Sequence, residues 1–398
     1  MSNDFFSVLE MPAGNLAAKQ AIKAAGCTHT TVQAQWTSLQ PSGPGTALNS
    51  TAVAAIVTEY QQAAEAGLKV MFELALQYPP SWVVAGGSAV EQFVDQYATT
   101  FTPGDSGSGN YVANWHWTAL GWSYVTDLCN KLASALGPAI LAQTAEIKIG
   151  GGPYGECHLP VYQASGDQYS HWGYGSSMQT GTGLASGQVV CPNPGYAIYS
   201  GTTAQDVQWL NWYLGGMGVW LMFFVGAMRT AGWTAADYHV CHPGYGIRNG
   251  ENTTNTAWRQ SAAACEDPER MMGFYAHDSK IWPYCTWLDA TDGYDPPGVD
   301  SDLGAWKKVY NGAYQRGKLA KLWGENTGGE TTAQMAAIFS GGTYGSPLGR
   351  TSWTVSAGGP PYGYNGINWL SYASLTAGGS NATLANLATS IAAFVPSF

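Results

Sequence analysis

Hydrophobic and polar positions along the chain follow one repeating scheme. A short run rich in β-branched and aromatic residues precedes an alanine-rich segment with helical spacing, and this pair recurs along the whole sequence. The pattern predicts strands at residues 5–12, 30–36, 68–77, 140–150, 238–244, 280–290, 319–326 and 366–374. It predicts helices at residues 15–25, 51–66, 89–99 continued by 117–135, 204–230, 262–278, 303–317, 331–339 and 382–394.

Alternation of strands and helices indicates an α/β protein, and eight such units predict a (β/α)8 barrel, the TIM barrel. Most strand runs are apolar throughout, which is typical of strands that are buried on both faces. No linker or charged run marks a boundary, so residues 1–398 are predicted to form a single barrel domain. The extra length falls in loops that follow strands. The largest is an insertion at about 150–203, on the face where barrels place active sites.

Composition narrows the class of ligand. Charged residues make up 11% of the 398, against about 25% in an average soluble domain, and the net charge is −10. Nucleic-acid binding is not expected, because no basic run is available to neutralise phosphates. Aromatic residues make up 13% of the chain. Weak charge and many rings suit a neutral, hydroxyl-rich ligand such as a sugar, and aromatic residues that merely fill a large core explain the composition equally well.

The seven cysteines and the first residues bear on metal binding and compartment. No Cys-x-x-Cys pair occurs, and the spacings of His, Cys and carboxylates match no metal site, so no metal or cofactor is predicted. Buried free thiols are the favoured interpretation, and a bridge between Cys157 and Cys191 is left open. No basic segment followed by an apolar run begins the sequence, so no signal peptide is visible. The localisation is left open between the cytoplasm and a virion-associated or extracellular place that is reached by another route.

The stretch from Val207 to Met228 contains no charged residue over a length that can span a bilayer. Polar residues interrupt it, no basic cluster flanks it, and it lies between segments of one fold. These features favour a buried helix, or one covered by a partner subunit, over a membrane span. The same region is therefore the candidate interface for a homo-oligomer or for assembly into a virion.

Two glutamates follow predicted strands at the end where barrels carry their chemistry. Glu156 lies just past the fourth strand, and Glu325 ends the seventh. The fourth and seventh strands lie on opposite sides of the ring, so the two carboxyl groups are expected to face each other across its mouth. Glycoside hydrolysis needs such a pair, one to protonate the leaving oxygen and one to attack or to activate water. Either residue taken alone is explained as well by a surface or salt-bridged loop position.

The segments around these glutamates resemble known families. GGPYGECHLPVY resembles the acid-bearing motif of β-amylases at Gly152, Pro153, Gly155, Glu156, Pro160 and Tyr162, and WGEN resembles the Gly-Glu-Asn around the second β-amylase carboxylate. The chain also resembles clan-A barrels of the β-galactosidase type, whose acid/base follows strand four and whose nucleophile ends strand seven. LQYPPSWV, with Trp82, is similar to a segment of those enzymes. The resemblance further implies that Trp369 floors a sugar subsite and that Tyr284 hydrogen-bonds the nucleophile.

The chain departs from both families. Gly155 precedes Glu156 where clan-A enzymes usually carry Asn, and the β-amylase His-x-Cys-Gly-Gly-Asn loop is absent after the third strand. These differences leave the stereochemistry open. Clan-A likeness favours retention with Glu156 as general acid/base and Glu325 as nucleophile, and the β-amylase motif favours inversion with Glu325 as general base.

Further residues near predicted strand ends are candidates for binding an oligo- or polysaccharide. Each has a structural alternative, namely core packing for the tryptophans and internal hydrogen bonding for the polar residues. The candidate substrate-binding residues are Glu10, Trp36, Glu73, Trp82, His242, Tyr284, Trp287, Asp289, Trp323 and Trp369. Two alternatives to a free-standing enzyme remain: a non-catalytic carbohydrate-binding barrel, and a virion- or assembly-associated component that degrades glycans.

Overall fold

A computed structural model describes residues 4–101, 113–160, 163–165, 168–196, 203–243, 265, 267–288, 305–326, 331–340, 348 and 363–394. Its strands are β1 (Phe5–Glu10), β2 (His29–Gln35), β3 (Lys69–Ala75), β4 (Thr144–Ile149), β5 (Gln163–Ser165), β6 (Gln168–Tyr169), β7 (Asp237–His242), β8 (Ile281–Cys285), β9 (Trp323–Glu325) and β10 (Gly366–Ser371). Its α-helices are Leu16–Ala24, Trp36–Leu39, Ser50–Glu65, Ser81–Val84, Ala119–Gln143, Ser176–Thr180, Ala204–Ala231, Pro268–Tyr275, Ala305–Gln315, Thr332–Ser340, Tyr372–Ala377 and Leu384–Ala393.

Eight of the strands form one parallel sheet in the order β1-β10-β9-β8-β7-β4-β3-β2. The end strands β1 and β2 lie side by side, so the sheet curls into a nearly closed barrel with helices between successive strands. At this seam, Thr28 joins the two strands through a backbone bond to Phe6 O of 2.8 Å and a side-chain bond from Phe6 N of 3.0 Å. The predicted (β/α)8 barrel is therefore confirmed.

Alternation along each strand divides the core into two layers. Phe5, Met71, Cys241, Tyr284 and Trp323 point inward and form a cluster inside the barrel. Their outward neighbours pack against the helices in a second, larger cluster. Polar residues continue the inward row toward the carboxyl ends of the strands, and this row forms the floor of the site.

Several predicted elements differ from the observed ones in their bounds, and the contacts explain three of these differences. Residues 89–99 form a loop rather than a helix, because the Asp95 carboxylate accepts backbone N–H bonds from Tyr97 and Thr99. The fourth strand begins at Thr144 rather than at 140, because the preceding helix continues across a kink at Gly137 to Gln143. The last strand ends at Ser371, whose side chain caps the next helix.

The segment between β4 and the Ala204–Ala231 helix corresponds to the predicted insertion. It contains a 3-10 turn at Pro153–Gly155, the β5–β6 hairpin and the short Ser176–Thr180 helix. The Ala204–Ala231 helix begins with a capping box formed by Thr203 and Asp206.

The Ala204–Ala231 helix is long and apolar enough to span a membrane. Half of its apolar stretch is buried inside the fold, and the helix packs on the Ala119–Gln143 and Pro268–Tyr275 helices. A buried core helix of a large barrel can have the same length and apolar composition as a membrane span. Assembly through Val207–Met228 stays a prediction. All seven cysteines are buried free thiols, so Cys157 and Cys191 are not bridged.

Candidate active site

A cavity of about 700 Å³ opens at the carboxyl ends of the barrel strands. Five of the residues singled out from the sequence line it together: Glu10, Glu73, Glu156, Trp287 and Glu325. They come from β1, β3, the loop after β4, the loop after β8 and the end of β9. The topology thus brings together side chains that are separated by more than 300 residues of sequence.

A tight glycine turn returns Glu156 to the barrel mouth. Gly152 N donates to Glu156 O at 2.9 Å, and a Cβ on Gly152 would lie 1.8 Å from His158 O, so no larger residue fits. Gly155 has φ +75°, and a Cβ there would lie 2.5 Å from Glu73 Oε1. The Gly-x-x-Gly-Glu spacing is therefore needed to place the carboxylate against the strands.

Two indole groups hold the start of this turn. Trp115 Nε1 donates to Gly151 O at 2.9 Å, and Trp220 Nε1 donates to Gly150 O at 3.0 Å. Both tryptophans are fully buried. The loop that carries Glu156 is thus fixed by hydrogen bonds from the Ala204–Ala231 helix and from the turn that precedes the Ala119–Gln143 helix.

The Glu156 carboxyl group is buried, with a side-chain exposure of 7%. One oxygen, Oε1, accepts a hydrogen bond from the Thr286 hydroxyl. The other, Oε2, lies 2.9 Å from His158 Nε2. The described contacts of Glu156 are thus a hydroxyl and an imidazole, neither of which carries a permanent charge.

Glu325 is also buried but faces a permanent cation. Its Oε2 accepts hydrogen bonds from Lys148 Nζ and from the Tyr284 hydroxyl, both at 2.9 Å. Burial raises the pKa of Glu325, and the Lys148 ammonium offsets part of that rise. Burial opposes the charge on Lys148, but the carboxylates of Glu325 and Glu73 outweigh it and raise the pKa of the ammonium group.

Glu73 is the third carboxylate of this layer. It is register partner to Lys148, with its Oε2 3.9 Å from the ammonium nitrogen, and its Oε1 accepts a bond of 3.0 Å from Gln77. Lys148 therefore lies between two carboxylates and holds both in place. The arrangement leaves the cavity acidic, since Glu10 and Glu59 also line it.

Most of the candidate tryptophans do not line this cavity. Trp36 is fully buried and packs edge-on against Trp82, whose Nε1 donates to Gln40 O at 2.8 Å. Trp323 is inside the barrel, stacked on Phe5. Trp369 points outward from β10 into the helix layer. These four are core or supporting residues in this structure, because each indole packs within the protein, and Trp287 is the candidate that lines the cavity.

His242 does not line this cavity either. It faces outward from the end of β7, its Nε2 is 3.0 Å from the Tyr275 hydroxyl, and burial lowers its pKa to about 3. Asp289 and Tyr162 lie outside the described residues. No group of three or more His, Cys, Asp or Glu side chains able to hold a metal occurs in the described part of the chain.

Sequence reasoning missed several residues of the site. Lys148 had a signal, because a lysine in the apolar run of β4 must meet a carboxylate when it is buried. His158 had a weaker signal, namely its place two positions beyond Glu156. The sequence contained no signal for Thr286, nor for Tyr78 and Tyr154, which line the cavity.

No protein-family model matches the sequence, and no curated protein matches it. Among solved structures, the catalytic domain of β-amylase from Paenibacillus polymyxa aligns over 100% of both chains, with a TM-score of 0.69 and 17% identity. A β-galactosidase from the psychrophilic Marinomonas ef1 aligns over 97% of this chain and 58% of its own, with a TM-score of 0.53 and 11% identity. A GH5_18 from Bifidobacterium longum subsp. infantis aligns over 99% of this chain and 80% of its own, with a TM-score of 0.50 and 12% identity. At these identities the likeness is one of fold.

Proposed function

We propose that the protein is a glycoside hydrolase that cleaves O-glycosidic bonds with Glu156 as general acid/base and Glu325 as nucleophile. The observation that carries the proposal is that both carboxyl groups line one cavity at the carboxyl ends of the barrel strands. Each belongs to a different environment, which is how one site keeps two carboxyl groups in two roles. The β-amylase and β-galactosidase whose folds align with this chain support the same class of reaction.

The contacts support this division of roles. Lys148 and Tyr284 both donate to Oε2 of Glu325, which stabilises the ionised form that a nucleophile or base must have. Glu156 contacts no lysine or arginine in the described residues, and its partners can exchange or share a proton with it. The two carboxyl groups thus differ in their partners, an ammonium group and a phenol at Glu325 and a hydroxyl and an imidazole at Glu156.

The rest of the cavity suits a sugar. The half-buried Trp287 and the rings of Tyr78 and Tyr154 line it, and such faces pack against the C–H groups of a pyranose. The surrounding carboxylates are hydrogen-bond acceptors for hydroxyl groups. We therefore propose an uncharged oligo- or polysaccharide as substrate.

Inversion is the second candidate mechanism. It is favoured by the alignment with the β-amylase catalytic domain over the whole of both chains and by the Gly-Pro-x-Gly-Glu motif. In that case Glu325 acts as general base on a water molecule. NMR of the first-formed anomer decides between the two: retention gives the configuration of the substrate, and inversion gives the opposite one.

The test is turnover of a panel of chromogenic glycosides and reduced oligosaccharides. Glu156→Gln and Glu325→Gln are each expected to lower kcat by about 1,000-fold or more. Glu146→Gln is the matched control, since Glu146 is a buried barrel glutamate bonded to His239 and Lys321 near the start of β4. Full activity in both site variants would overturn the assignment. Binding without turnover in the wild type would favour a carbohydrate-binding barrel.

A further inference from the structure

His158 lies on the same side of the chain as Glu156. Glu156 has an extended backbone, with φ −91° and ψ 164°, and side chains two residues apart in an extended segment point to the same face. The intervening Cys157 points instead into the outer core. Both His158 and Glu156 are buried and line the cavity, with exposures of 4% and 5%.

The hydrogen-bond partners of His158 fix its tautomer. Nδ1 lies 2.7 Å from Leu159 O, and a backbone carbonyl accepts but never donates, so Nδ1 carries a hydrogen. Nε2 lies 2.9 Å from Glu156 Oε2, in a close electrostatic contact rather than an aligned hydrogen bond. A neutral imidazole with hydrogen on Nδ1 presents a lone pair at Nε2, which repels a carboxylate at this distance. The contact is attractive only when the pair holds one further proton.

The neighbouring groups among the described residues leave that proton with the pair. The Thr286 hydroxyl hydrogen-bonds to Oε1 of Glu156 and lies 3.2 Å from the backbone oxygen of His242, and a hydroxyl group does not take up a further proton at neutral pH. His116 is the nearby histidine, and its pKa is lowered to about 3 by burial and by His158. It therefore stays neutral and does not take the proton from the pair.

We propose that Glu156 and His158 form a pair that carries one proton, and that His158 is the positioning residue that keeps this proton available to the leaving group. The role in catalysis rests on the proposed function. As Glu325 attacks the anomeric carbon, the bond between that carbon and the glycosidic oxygen breaks, and its electron pair passes to the oxygen, which takes the proton of the pair. Water then displaces Glu325 from the anomeric carbon, adds its hydroxyl there and returns a proton to the pair.

The kinetic test compares two leaving groups. Gln at position 158 has an amide hydrogen to donate to Oε2 but no titratable proton to transfer. His158→Gln is expected to lower kcat/KM at least about tenfold for alkyl glycosides and to change it less than about threefold for dinitrophenyl glycosides, whose departure needs no acid. His171→Gln is the matched control, because His171 is buried with Nδ1 3.2 Å from Tyr169 O and lies outside the cavity lining. An equal loss for both leaving groups would overturn the positioning role.

A second measurement does not depend on turnover. In protein labelled with ¹⁵N-histidine, NMR is expected to show His158 with hydrogen on Nδ1, and Glu156→Gln is expected to shift the Nε2 resonance more than the Nδ1 resonance. A bare Nδ1, or an Nε2 that is insensitive to position 156, would overturn the pair. If the pair is seen but no glycoside is cleaved by the wild type, the proposed function fails and the proton-sharing contact stands.

Discussion

Lys148→Met is the substitution that tests the site most directly. The Lys148 ammonium lies 2.9 Å from Glu325 Oε2 and 3.9 Å from Glu73 Oε2, and its side chain is 2% exposed. Methionine fills a similar volume and removes only the charge and the hydrogen bonds. The variant therefore leaves two buried carboxylates without the cation that lies between them.

The size of the effect follows from these distances. At an effective dielectric constant of about 20, the attraction of Lys148 to Glu325 is about 6 kcal/mol and that to Glu73 about 4 kcal/mol. The desolvation of three charged groups offsets much of this sum. Removal of one partner of a buried pair usually costs about 3–5 kcal/mol, and we expect the unfolding free energy to fall by roughly that amount at neutral pH.

The pH dependence gives the prediction its sign. Burial already raises the pKa of Glu325, and without Lys148 the carboxyl group keeps its proton to higher pH. A group whose pKa is raised in the folded state stabilises the fold at low pH and loses that contribution as pH rises through the folded value. The stability deficit of Lys148→Met is thus smaller at about pH 5 than at about pH 8. The activity of the variant is expected to be lower at about pH 5 than at about pH 8, because Glu325 must be ionised to act.

The assay is urea unfolding followed by tryptophan fluorescence at the two pH values, together with a pH–rate profile. A loss of about 3 kcal/mol in transition-state stabilisation corresponds to a rate lower by roughly 100-fold. Lys321→Met is the control, since Lys321 pairs with Glu146 and Asp237 near the start of the strands. It is expected to keep the wild-type profile. The reasoning is refuted if Lys148→Met has wild-type stability at both pH values and an unshifted profile.

Three further predictions follow from the geometry. Gly155→Ala should lower the unfolding free energy by about 1–3 kcal/mol and reduce kcat, because φ is +75° and the new Cβ meets Glu73. A stable, fully active variant would contradict this. Trp36→Ala should cost about 3–5 kcal/mol in urea unfolding, whereas Trp287→Ala should raise KM with little loss of stability, and reversed effects would mean that the two indoles were wrongly assigned. A uronide should react at least about tenfold more slowly than the matching neutral glycoside at low salt, since the cavity is acidic. Equal kcat/KM values would exclude electrostatic selection.

The fold was predictable because each βα unit leaves a local mark in the sequence. Strands that are buried on both faces are continuous apolar runs, and helices carry their own spacing, so the number and order of the eight barrel strands followed from hydrophobicity. The ends of the elements were harder to predict, because they depend on single hydrogen bonds. The Asp95 carboxylate, for example, makes a loop of a segment with helical composition.

Site residues were predictable where glycines beside them marked the end of a strand. Glu156 and Glu325 lie in glycine-flanked motifs at strand ends, and both line the cavity. The positions of the tryptophans were not predictable. An indole at a strand end points inward, outward or into a loop according to the strand register, which the sequence does not display. Trp369 illustrates this, since a shift by one position along β10 would have turned it toward the barrel interior.

The seam between β1 and β2 has a consequence for synthesis of the chain. The ladder partner of β1 is β10, as in the pairing of Phe5 with Gly366, so the first barrel strand to be synthesised pairs in register with the last. Six barrel strands, β2, β3, β4, β7, β8 and β9, can pair while translation continues, but β1 gains its ladder only when residues 366–371 have emerged. Closure of the ring is therefore a late, non-local event, which favours slow folding and a lasting open edge for chaperones to shield.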